Sequence, residues 1–367
     1  MQMRIFRLTL GDRVTMLQRY ISFLCRYFRF FLMPLIPLYL AIFYIKKMLS
    51  HPQASGMPVI CIGNITVGGT GKTPAVMQIV KLLEEEEYKP AIVSRGYRGS
   101  RSKVGAIVCD GAKILLNPEE SGDESYLMAL RLKNIPIAIG HNRLSVVLRL
   151  MRGYDIDVII MDDGIQNNSI YKEISIITID ATNPFGNGLI LPAGDLREPK
   201  SALKRADLIL ITKSDLISEI RLKELEKRIK RISAGCMIFK SKYKISEIYR
   251  IDDNDFRYPV SAISDKRVLL ITAIGNPEAF LKTVIKYKPD VVRLLPFPDH
   301  YNYTERDCDR FVKESNYYDY VLVTEKDYVK MKKYHLNPKF FVLPISVAFE
   351  YEPLFRKHLL HRLSEMK

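Results

Sequence analysis

A phosphate-binding loop between a strand and a helix is the sequence feature that most restricts how this chain can fold. Residues 66–73 read TVGGTGKT, the apolar run PVICIGN precedes them, and PAVMQIVKLLEEE follows with apolar residues at helical spacing. In this setting the glycines allow several backbone N–H groups to point into one concavity that holds phosphates. The sequence therefore predicts a P-loop that binds a nucleoside triphosphate through Thr66, Val67, Gly68, Gly69, Thr70, Gly71, Lys72 and Thr73.

Two side chains of this loop carry chemistry of their own. Lys72 can reach the β- and γ-phosphates, Thr73 can bind Mg²⁺, and the following helix offers its N-terminus to the phosphates. Thr66 stands where the general G-x-x-x-x-G-K-[ST] pattern has its first glycine. That departure weakens a bare pattern match but leaves the GGTGKT core intact, so we expect an enzyme that uses a nucleoside triphosphate with Mg²⁺.

Short apolar runs alternate with helical stretches along the rest of the chain. Runs such as VIIMDD (158–163) and ISIITID (174–180) are typical of parallel strands covered on both faces by helices. A polar stretch interrupts this rhythm, and a second α/β set follows it. We predict an α/β fold with a mostly parallel P-loop NTPase core and a smaller second α/β domain. The predicted divisions are an N-terminal membrane-associated helical segment at 1–50, the P-loop domain at 51–235, a linker or ribbon at 236–266 and the C-terminal domain at 267–367.

The N-terminal segment combines positive charge with apolar residues. The chain has a formal net charge of +15, and its first 50 residues hold eight Lys and Arg residues against one acid. Residues 30–45 are uncharged, but they contain Pro34 and Pro37 and fall short of the roughly 20 residues that cross a bilayer as a helix. We predict a segment in the interface of an anionic membrane, with no nucleic acid as partner. A buried hairpin and a cleaved signal peptide are the alternatives.

The five cysteines indicate a reducing compartment. They are odd in number, far apart and without a C-x-x-C pair, which argues against a disulfide framework or a zinc site. A cytoplasmic environment is the simplest interpretation.

Two groups of carboxylates lie where chemistry is expected. Asp162 and Asp163 follow the apolar run VIIM, and a carboxylate at the C-terminal edge of a parallel sheet can bind Mg²⁺ directly or through water. The alternative for Asp163 is a strand-end turn. Asp123 and Glu124 begin a predicted helix, where they either cap it or provide an acceptor for the proton of a hydroxyl substrate.

A rival function follows from Thr212-Lys213-Ser214-Asp215 at the end of another predicted strand. This order is similar to the guanine-reading [NT]-K-x-D of GTP-binding switches, so a regulatory P-loop GTPase is the alternative. The second domain and the basic membrane segment favour an enzyme with a membrane-held acceptor, because a switch protein needs neither.

Eight blocks, in order, resemble those of the lipid A 4′-kinases (tetraacyldisaccharide 4′-kinases), and the likeness extends from about residue 17 over nearly the whole chain. They are PVICIGNITVGGTGKTP (58–74), VSRGYRG (93–99), GDES (122–125), MDDGIQN (161–167), GNGLILPAGDLREP (186–199), AIGNPEAF (273–280), FPDHYNYT (297–304) and LVTEKDYVKM (322–331).

The resemblance implies a lipid kinase at the cytoplasmic face of the bacterial inner membrane, peripheral or monotopic, with ATP and Mg²⁺ as cofactors. Its implied reaction moves the γ-phosphate of ATP to the 4′-hydroxyl of a tetraacyl glucosamine disaccharide 1-phosphate, giving lipid IVA in lipid A biosynthesis. The implied partners are that membrane-held lipid A precursor and an anionic membrane surface, without an obligate protein partner.

The resemblance also implies roles that the residues alone leave open. Asp123 is the implied base, assisted by His300, and Lys72 joins them as a catalytic residue. The implied metal ligands are Thr73, Asp162, Asp163 and Glu198. The substrate or phosphate region would contain Arg95, Tyr97, Glu124, Gln166, Arg197 and Asp299. Two positions depart from the family pattern: Asn167 replaces a usual histidine, and Arg98-Gly99 reverses a usual Gly-Arg step.

Overall fold

The computed structural model describes residues 4–5 and 29–365, beginning with the two-residue strand β1 (Arg4–Ile5). Cys25 and the basic residues at positions 7–26 lie outside the described residues. The chain forms two compact units, one made of Phe28–Lys242 and Val347–Lys367 and the other containing Tyr243–Ser346. The return of the chain to the first unit at Val347 is absent from the sequence analysis, and the boundaries given there stay a prediction.

An N-terminal helix exposes apolar side chains. The helical stretch runs from Arg29 to Met48 through a 3-10 turn, and its last part is α1 (Ile36–Met48). Pro34 and Pro37 lie in the first turns of the 3-10 and α segments, where no intrahelical N–H is needed, so they do not end the helix. By length and composition alone the stretch could cross a membrane, and none of its apolar window is buried. The buried hairpin, one of the alternatives from sequence, is therefore not observed.

A nine-stranded sheet forms the centre of the first unit. Its strands are β2 (Val59–Gly63), β3 (Pro90–Ser94), β4 (Ala106–Asp110), β5 (Pro136–Ile139), β6 (Val158–Asp162), β7 (Ile174–Asp180), β8 (Leu208–Thr212), β9 (Met237–Lys244) and β16 (Ser346–Phe349). The order is β16-β9-β8-β7-β2-β6-β3-β5-β4, with β4 antiparallel to β5 and parallel pairing from β9 to β5. Every residue of β2, β3, β6 and β8 is buried, which confirms the mostly parallel core.

Helices cover this sheet with apolar stripes. In α2 (Lys72–Glu85) the buried residues include Val76, Ile79 and Leu83, whose spacing of three and four places them on one face. The same spacing buries Leu222, Leu225 and Ile229 of α6 (Glu219–Ile232). The other helices of this unit are α3 (Pro118–Ser121), α4 (Asp123–Arg131), α5 (Arg143–Gly153) and α10 (Glu352–Ser364).

The second unit is built on a seven-stranded sheet in the order β1-β13-β12-β14-β15-β10-β11. Its further strands are β10 (Glu247–Arg250), β11 (Arg257–Pro259), β12 (Arg267–Thr272), β13 (Val291–Pro296), β14 (Tyr320–Thr324) and β15 (Phe340–Leu343), and its helices are α7 (Pro277–Ile285), α8 (Glu305–Glu314) and α9 (Glu325–Met331). Leu269 and Ile271 enter one apolar cluster, whereas Val268 and Leu270 enter another. Because strand side chains alternate between faces, both faces of this sheet are covered, and the predicted second α/β set is confirmed.

Three strands, β9, β10 and β11, lie in the stretch for which the sequence predicts a linker or ribbon. β9 pairs with β8 in the first sheet, and β10 pairs antiparallel with both β15 and β11 in the second. These polar strands thus lie near one edge of each sheet, with β16 outside β9 in the first and β11 at the edge of the second.

Candidate active site

The predicted P-loop connects β2 to α2, which begins at Lys72. Gly68 and Gly71 have φ values of 98° and 80°, which residues with a Cβ rarely adopt. A Cβ on Gly68 or Gly69 would meet no atom within 4 Å. The glycines are thus needed for backbone conformation, and the space around them is open to a ligand.

The floor of the loop is held from β8. Thr212 Oγ1 donates to the carbonyl of Thr70 at 2.8 Å, and Lys213 Nζ donates to the carbonyl of Gly69 at 3.0 Å. Lys213 is buried and also pairs with Asp180. Two residues of the block that suggested guanine recognition therefore support the phosphate loop, a role that the sequence analysis missed.

The L-R-E-P segment runs beside the start of the loop. The N–H of Val67 donates to the carbonyl of Asp195, and the N–H of Arg197 donates to the carbonyl of Ile65, both at 2.8 Å. This pairing brings the side chain of Arg197 to the P-loop, although about 125 residues separate the two in the chain.

Lys72, Asp163 and Arg197 form one charged group. Lys72 Nζ lies 3.5 Å from Asp163 Oδ1, and Arg197 Nη1 lies 3.0 Å from both carboxylate oxygens of Asp163. Burial raises the pKa of Asp163, but the two cations outweigh it and lower this pKa to about 2. Lys72 Nζ also donates to Asn64 Oδ1 at 3.2 Å, so Asn64 is a further residue that the sequence analysis missed.

Asp162 has a different environment from its neighbour. It is fully buried at the end of β6, with Ser94 Oγ 3.4 Å from its Oδ2. Close to it lies the buried guanidinium of Arg143: burial lowers the pKa of Arg143 to about 10, Asp162 opposes that shift, and Arg95 adds to it. Arg95, a residue expected in the site, therefore lies near Arg143. The only sequence signal for Arg143 is its position just after β5, at the same sheet edge.

Gln166 and Glu198 form the next part of the site. Gln166 Nε2 donates to the carbonyl of Asn64 at 2.9 Å and to Glu198 Oε1 at 2.7 Å. Glu198 is 1% exposed and pairs with Arg205 at 2.6 Å. A continuous polar network therefore extends from Lys72 through Arg197 and Gln166 to Glu198.

The donors beside the P-loop fit Mg²⁺. Thr73 lies in the first turn of α2, Asp162 is the last residue of the adjacent strand β6, and Asp163 follows it. Magnesium takes one or two carboxylates together with phosphate and water oxygens, and a complete protein cage is not required. Among residues 29–365, no cluster of three or more His, Cys, Asp or Glu side chains could hold a metal by itself. Phosphate oxygens of the nucleotide would have to complete the coordination.

The G-D-E block packs against the loop that carries Arg95 and Tyr97. A Cβ on Gly122 would lie 2.5 Å from the carbonyl oxygen of Tyr97, and one on Gly99 would lie 2.5 Å from that of Glu120. Such close backbone contact fixes the loop relative to α4. Asp123 is the first residue of α4, directly after Gly122.

His300 and Asp299 lie in the second unit. The backbone N–H of His300 donates to the carbonyl of Ala273, and its Nε2 lies 3.8 Å from Asp299 Oδ1. Nearby, Asp327 accepts from the N–H of Ala273 and from the hydroxyl of Tyr303. The strand-end carboxylate of the TEKD block therefore anchors the segments that flank His300. The pairing of His300 with Asp123 stays a prediction.

Two cavities lie beside the C-terminal end of α1. The first, about 400 Å³, is lined mainly by neutral polar side chains: Ser50, Gln53, Asn142, Gln166, Asn167, Asn168 and Ser169, with Lys46, His51 and Leu144. The second, about 270 Å³, is lined by Phe43, Tyr44, Lys47, Glu198, Pro199, Ser201, Ala202, Lys204 and Arg205. Tyr39 ties the helix to the site, because its hydroxyl donates to the carbonyl of Arg197 at 2.9 Å.

Comparison with known proteins gives one family. The sequence profile of tetraacyldisaccharide-1-P 4′-kinase matches residues 28–364. Curated tetraacyldisaccharide 4′-kinases from Halothermothrix orenii and Geobacter sulfurreducens are 31% and 34% identical, covering 80% and 81% of this chain and 80% of each relative. The crystal structure of LpxK from Aquifex aeolicus in complex with ATP superposes with a TM-score of 0.72 at 27% identity, covering 92% of this chain and 99% of that one.

Proposed function

Because this chain belongs to the tetraacyldisaccharide 4′-kinase family, it is an ATP-dependent kinase of lipid A biosynthesis, and we propose that its acceptor is a membrane-held tetraacyl glucosamine disaccharide 1-phosphate. The reaction would place the γ-phosphate of ATP on the 4′-hydroxyl and give lipid IVA. One observation carries the proposal: the P-loop network continues through Arg197 to Tyr39 of the apolar helix α1. Phosphate chemistry and a lipid-facing surface thus belong to one connected structure.

The P-loop side of the site would hold the nucleotide. The backbone of residues 66–73 and Lys72 bind the phosphates, and Arg197 neutralises charge on the transferred group. Thr73, Asp162 and Asp163 would hold Mg²⁺, with Glu198 as a further acidic group nearby. When bound, the ion offsets the negative charge of the phosphates.

Asp123 and His300 are the proposed acceptors of the hydroxyl proton. Asp123 sits at the start of α4, held there by the close contact between Gly122 and Tyr97. Asp299 lies near enough to His300 to orient its imidazole. We assign Arg95, Tyr97 and Glu124 to the region that positions acceptor and phosphate.

The amide-rich cavity supports a sugar acceptor. Amide and hydroxyl side chains hydrogen-bond sugar hydroxyl groups in both directions, as donors and as acceptors. Gln53, Asn142 and Asn167 line this cavity together with Gln166, which belongs to the active-site network. A disaccharide bound there would lie next to the phosphate site and beside the membrane helix.

Two faces of α1 explain how a peripheral or monotopic enzyme could meet such an acceptor. Ile36, Tyr39 and Phe43 are half-buried on one side, whereas Leu38, Ile42 and Ile45 are exposed. An acyl chain leaves the bilayer only at about 0.8 kcal/mol per CH₂ group, so the enzyme must come to the membrane. We therefore assign the protein to the cytoplasmic face of the inner membrane.

A transfer assay tests the proposal. Purified protein is incubated with labelled ATP or GTP, with and without tetraacyl disaccharide 1-phosphate in detergent micelles, and the lipid product is analysed. A 4′-phosphorylated lipid formed from ATP is the expected product. GTP hydrolysis without a lipid product would instead support the regulatory GTPase.

Variants separate the roles within that assay. Lys72→Ala should abolish transfer, because the phosphates lose their buried cation. Asp123→Ala should abolish transfer while ATP binding is retained. Asp155→Ala serves as a control, because it removes an exposed carboxylate that pairs with Lys89. Full transfer by the Asp123 variant would rule out this residue as the base.

A further inference from the structure

His300 has a backbone conformation that histidine rarely adopts. Its φ is 59°, in the left-handed region that favours glycine. The N–H of Tyr301 donates to the carbonyl of Pro298 at 3.0 Å, so residues 298–301 form a β-turn with His300 at its third position. A residue held in such a conformation needs surroundings that fix it there. The contacts of this turn therefore determine where the imidazole of His300 lies.

The backbone of Ala273 connects the turn to the buried side chain of Asp327. The carbonyl of Ala273 accepts from the N–H of His300 at 3.1 Å, and the N–H of Ala273 donates to Asp327 Oδ1 at 2.9 Å. Asp327 is fully buried, and a hydrogen bond from a backbone N–H to a carboxylate is stronger than one between neutral groups. Two successive hydrogen bonds thus link the carboxylate of Asp327 to the backbone of His300.

The same carboxylate oxygen also holds the chain beyond the turn. The hydroxyl of Tyr303 donates to Asp327 Oδ1 at 2.8 Å. Burial raises the pKa of Tyr303 and the charge of Asp327 raises it further, so this hydroxyl keeps the proton that it donates. Asp327 Oδ1 therefore joins Ala273, which bonds the turn, to Tyr303, which lies three residues after His300.

Aromatic rings pack on both sides of the turn. The ring of Phe297 lies 5.0 Å from that of Tyr301 and 5.5 Å from that of Tyr303, and the buried ring of Phe311 lies 5.5 Å from that of Phe297. Rings at these distances attract one another beyond the apolar area that they bury. Because this packing does not need the hydroxyl of Tyr303, the bond to Asp327 can be removed while the rings stay in place.

Capping of α9 is the simpler role for Asp327, and it accounts for only one of the two carboxylate oxygens. Asp327 Oδ2 accepts from the hydroxyl of the N-cap residue Thr324 at 2.6 Å. In a capping box the carboxylate accepts from the backbone N–H of the N-cap residue, as that of Asp307 does at the start of α8. Asp327 Oδ1 instead contacts Ala273 and Tyr303, which lie outside α9.

We propose that Asp327 is a positioning residue of the kinase reaction, which acts through Ala273 and Tyr303 to hold the imidazole of His300 in place. This proposal rests on the function proposed above, in which His300 helps to accept the proton of the acceptor hydroxyl. Because Asp327 is fully buried, it affects the reaction only through the residues that it holds.

Variants of the full-length protein in detergent micelles test the proposal. Tyr303→Phe removes one hydrogen bond to Asp327, and Asp327→Ala removes both carboxylate oxygens. Asp319→Ala is the matched control, because Asp319 Oδ2 accepts from the backbone N–H of Arg267 at 2.8 Å, at the opposite end of β12. Each variant is also made in a His300→Ala background, kcat and KM are measured, and circular dichroism shows whether each protein folds.

We expect kcat to fall about tenfold in Asp327→Ala, equivalent to about 1.4 kcal/mol, and about threefold in Tyr303→Phe. KM for ATP and the kcat of Asp319→Ala should stay within about twofold of the wild type, because a misplaced proton acceptor weakens only the transition state. In the His300→Ala background neither substitution should lower the residual kcat further, since the group that they position is absent. If Asp327→Ala does not fold, Tyr303→Phe decides the test.

Equal losses in the two backgrounds would overturn the proposal, because a general loss of structure lowers kcat whether or not His300 is present. Full kcat in both Asp327→Ala and Tyr303→Phe would overturn it as well.

The imidazole itself provides a readout that does not depend on turnover. The protein contains six histidines, and with ¹³C-labelled histidine the NMR signal of His300 is identified by its loss in His300→Ala. This signal should shift in Asp327→Ala and in Tyr303→Phe, and it should stay unchanged in Asp319→Ala. An unchanged His300 signal in both of the first two variants would contradict the proposed role of Asp327.

The failure of this proposal can be distinguished from that of the proposed function. A wild-type protein that makes no 4′-phosphate contradicts the proposed function, whatever the His300 signal shows. A wild-type protein that makes this product, and whose variants at Asp327 and Tyr303 change neither kcat nor the His300 signal, contradicts only the positioning role.

Discussion

Replacing Gly122 with alanine tests how the acceptor side of the site is assembled. Gly122 has φ 83° and ψ 149°, a conformation essentially restricted to glycine that costs other residues about 1–3 kcal/mol. The new Cβ would also lie 2.5 Å from the carbonyl oxygen of Tyr97. Because this neighbour is backbone, it cannot rotate away, and such overpacking costs about 1–3 kcal/mol.

The backbone strain and the steric contact both arise from the Cβ that alanine adds. We expect Gly122→Ala to reduce the free energy of unfolding by about 2–6 kcal/mol. Where the variant still folds, the loop carrying Tyr97 must move away from α4, so Asp123 is displaced and kcat falls more than the affinity for ATP. The chain has no Trp, so urea unfolding is best followed by far-UV circular dichroism, with transfer measured on the same samples.

Gly153→Ala is the matched control. A Cβ at Gly153 would meet no atom within 4 Å, and this residue ends α5 without a positive φ. Alanine is favoured over glycine in a helix by about 0.5–1 kcal/mol, so this variant should be at least as stable as the wild type. If Gly122→Ala proves as stable as Gly153→Ala and keeps full transfer, the close backbone contact has no role in positioning Asp123.

Three further outcomes are expected. The pKa of Asp163 is lowered to about 2, so its ionised carboxylate should stabilise the folded state by about 2 kcal/mol above pH 4. This stabilisation should be lost as the pH falls towards 2. Asp163→Asn should flatten the pH dependence of the free energy of unfolding in urea titrations between pH 2.5 and 6. Thr212→Val leaves the buried carbonyl of Thr70 without its 2.8 Å donor, so we expect a cost of about 1–3 kcal/mol and a higher KM for ATP, and an unchanged KM would exclude this support. Tyr39→Phe removes the bond to the carbonyl of Arg197 and should lower kcat about threefold to tenfold, through a loss of about 0.5–1.5 kcal/mol; a change in lipid KM alone would contradict a link to Arg197.

The central strands were predictable because their residues are apolar throughout. β2, β6 and β8 are buried at every position, and such runs are visible without any knowledge of pairing. The strands at or next to the sheet edges were not. β9 alternates buried and exposed residues among lysines, and β11 is wholly exposed, so their apolar signal is too weak to distinguish them from a linker.

The site residues likewise fall into a group that the sequence predicts and a group that it does not. The P-loop and Asp162-Asp163 could be located because each follows an apolar strand and lies at the edge where parallel strands end. The contacts of Lys213 with Gly69 and of Glu198 with Arg205 depend on which strands become neighbours. Spacing in the chain contains no such information. The sequence therefore suggests guanine recognition for Lys213, and only the family resemblance gives Glu198 a role.

Pro34 and Pro37 illustrate what sequence leaves open about a helix. From sequence they interrupt the apolar stretch and count against a spanning length. In the structure both occupy first turns, where a missing N–H costs nothing, and the helical stretch reaches 20 residues.

The exposed apolar residues on α1 imply that the kinase reaction takes place at a membrane surface. With Leu38, Ile42 and Ile45 seated in a bilayer, enzyme and acceptor would meet by lateral diffusion in one plane. Turnover would then follow the mole fraction of acceptor among the surrounding lipids and not its amount per volume of solution. Adding inert lipid would slow the reaction at constant total acceptor. The rate in a cell would therefore depend directly on the lipid composition of its membrane.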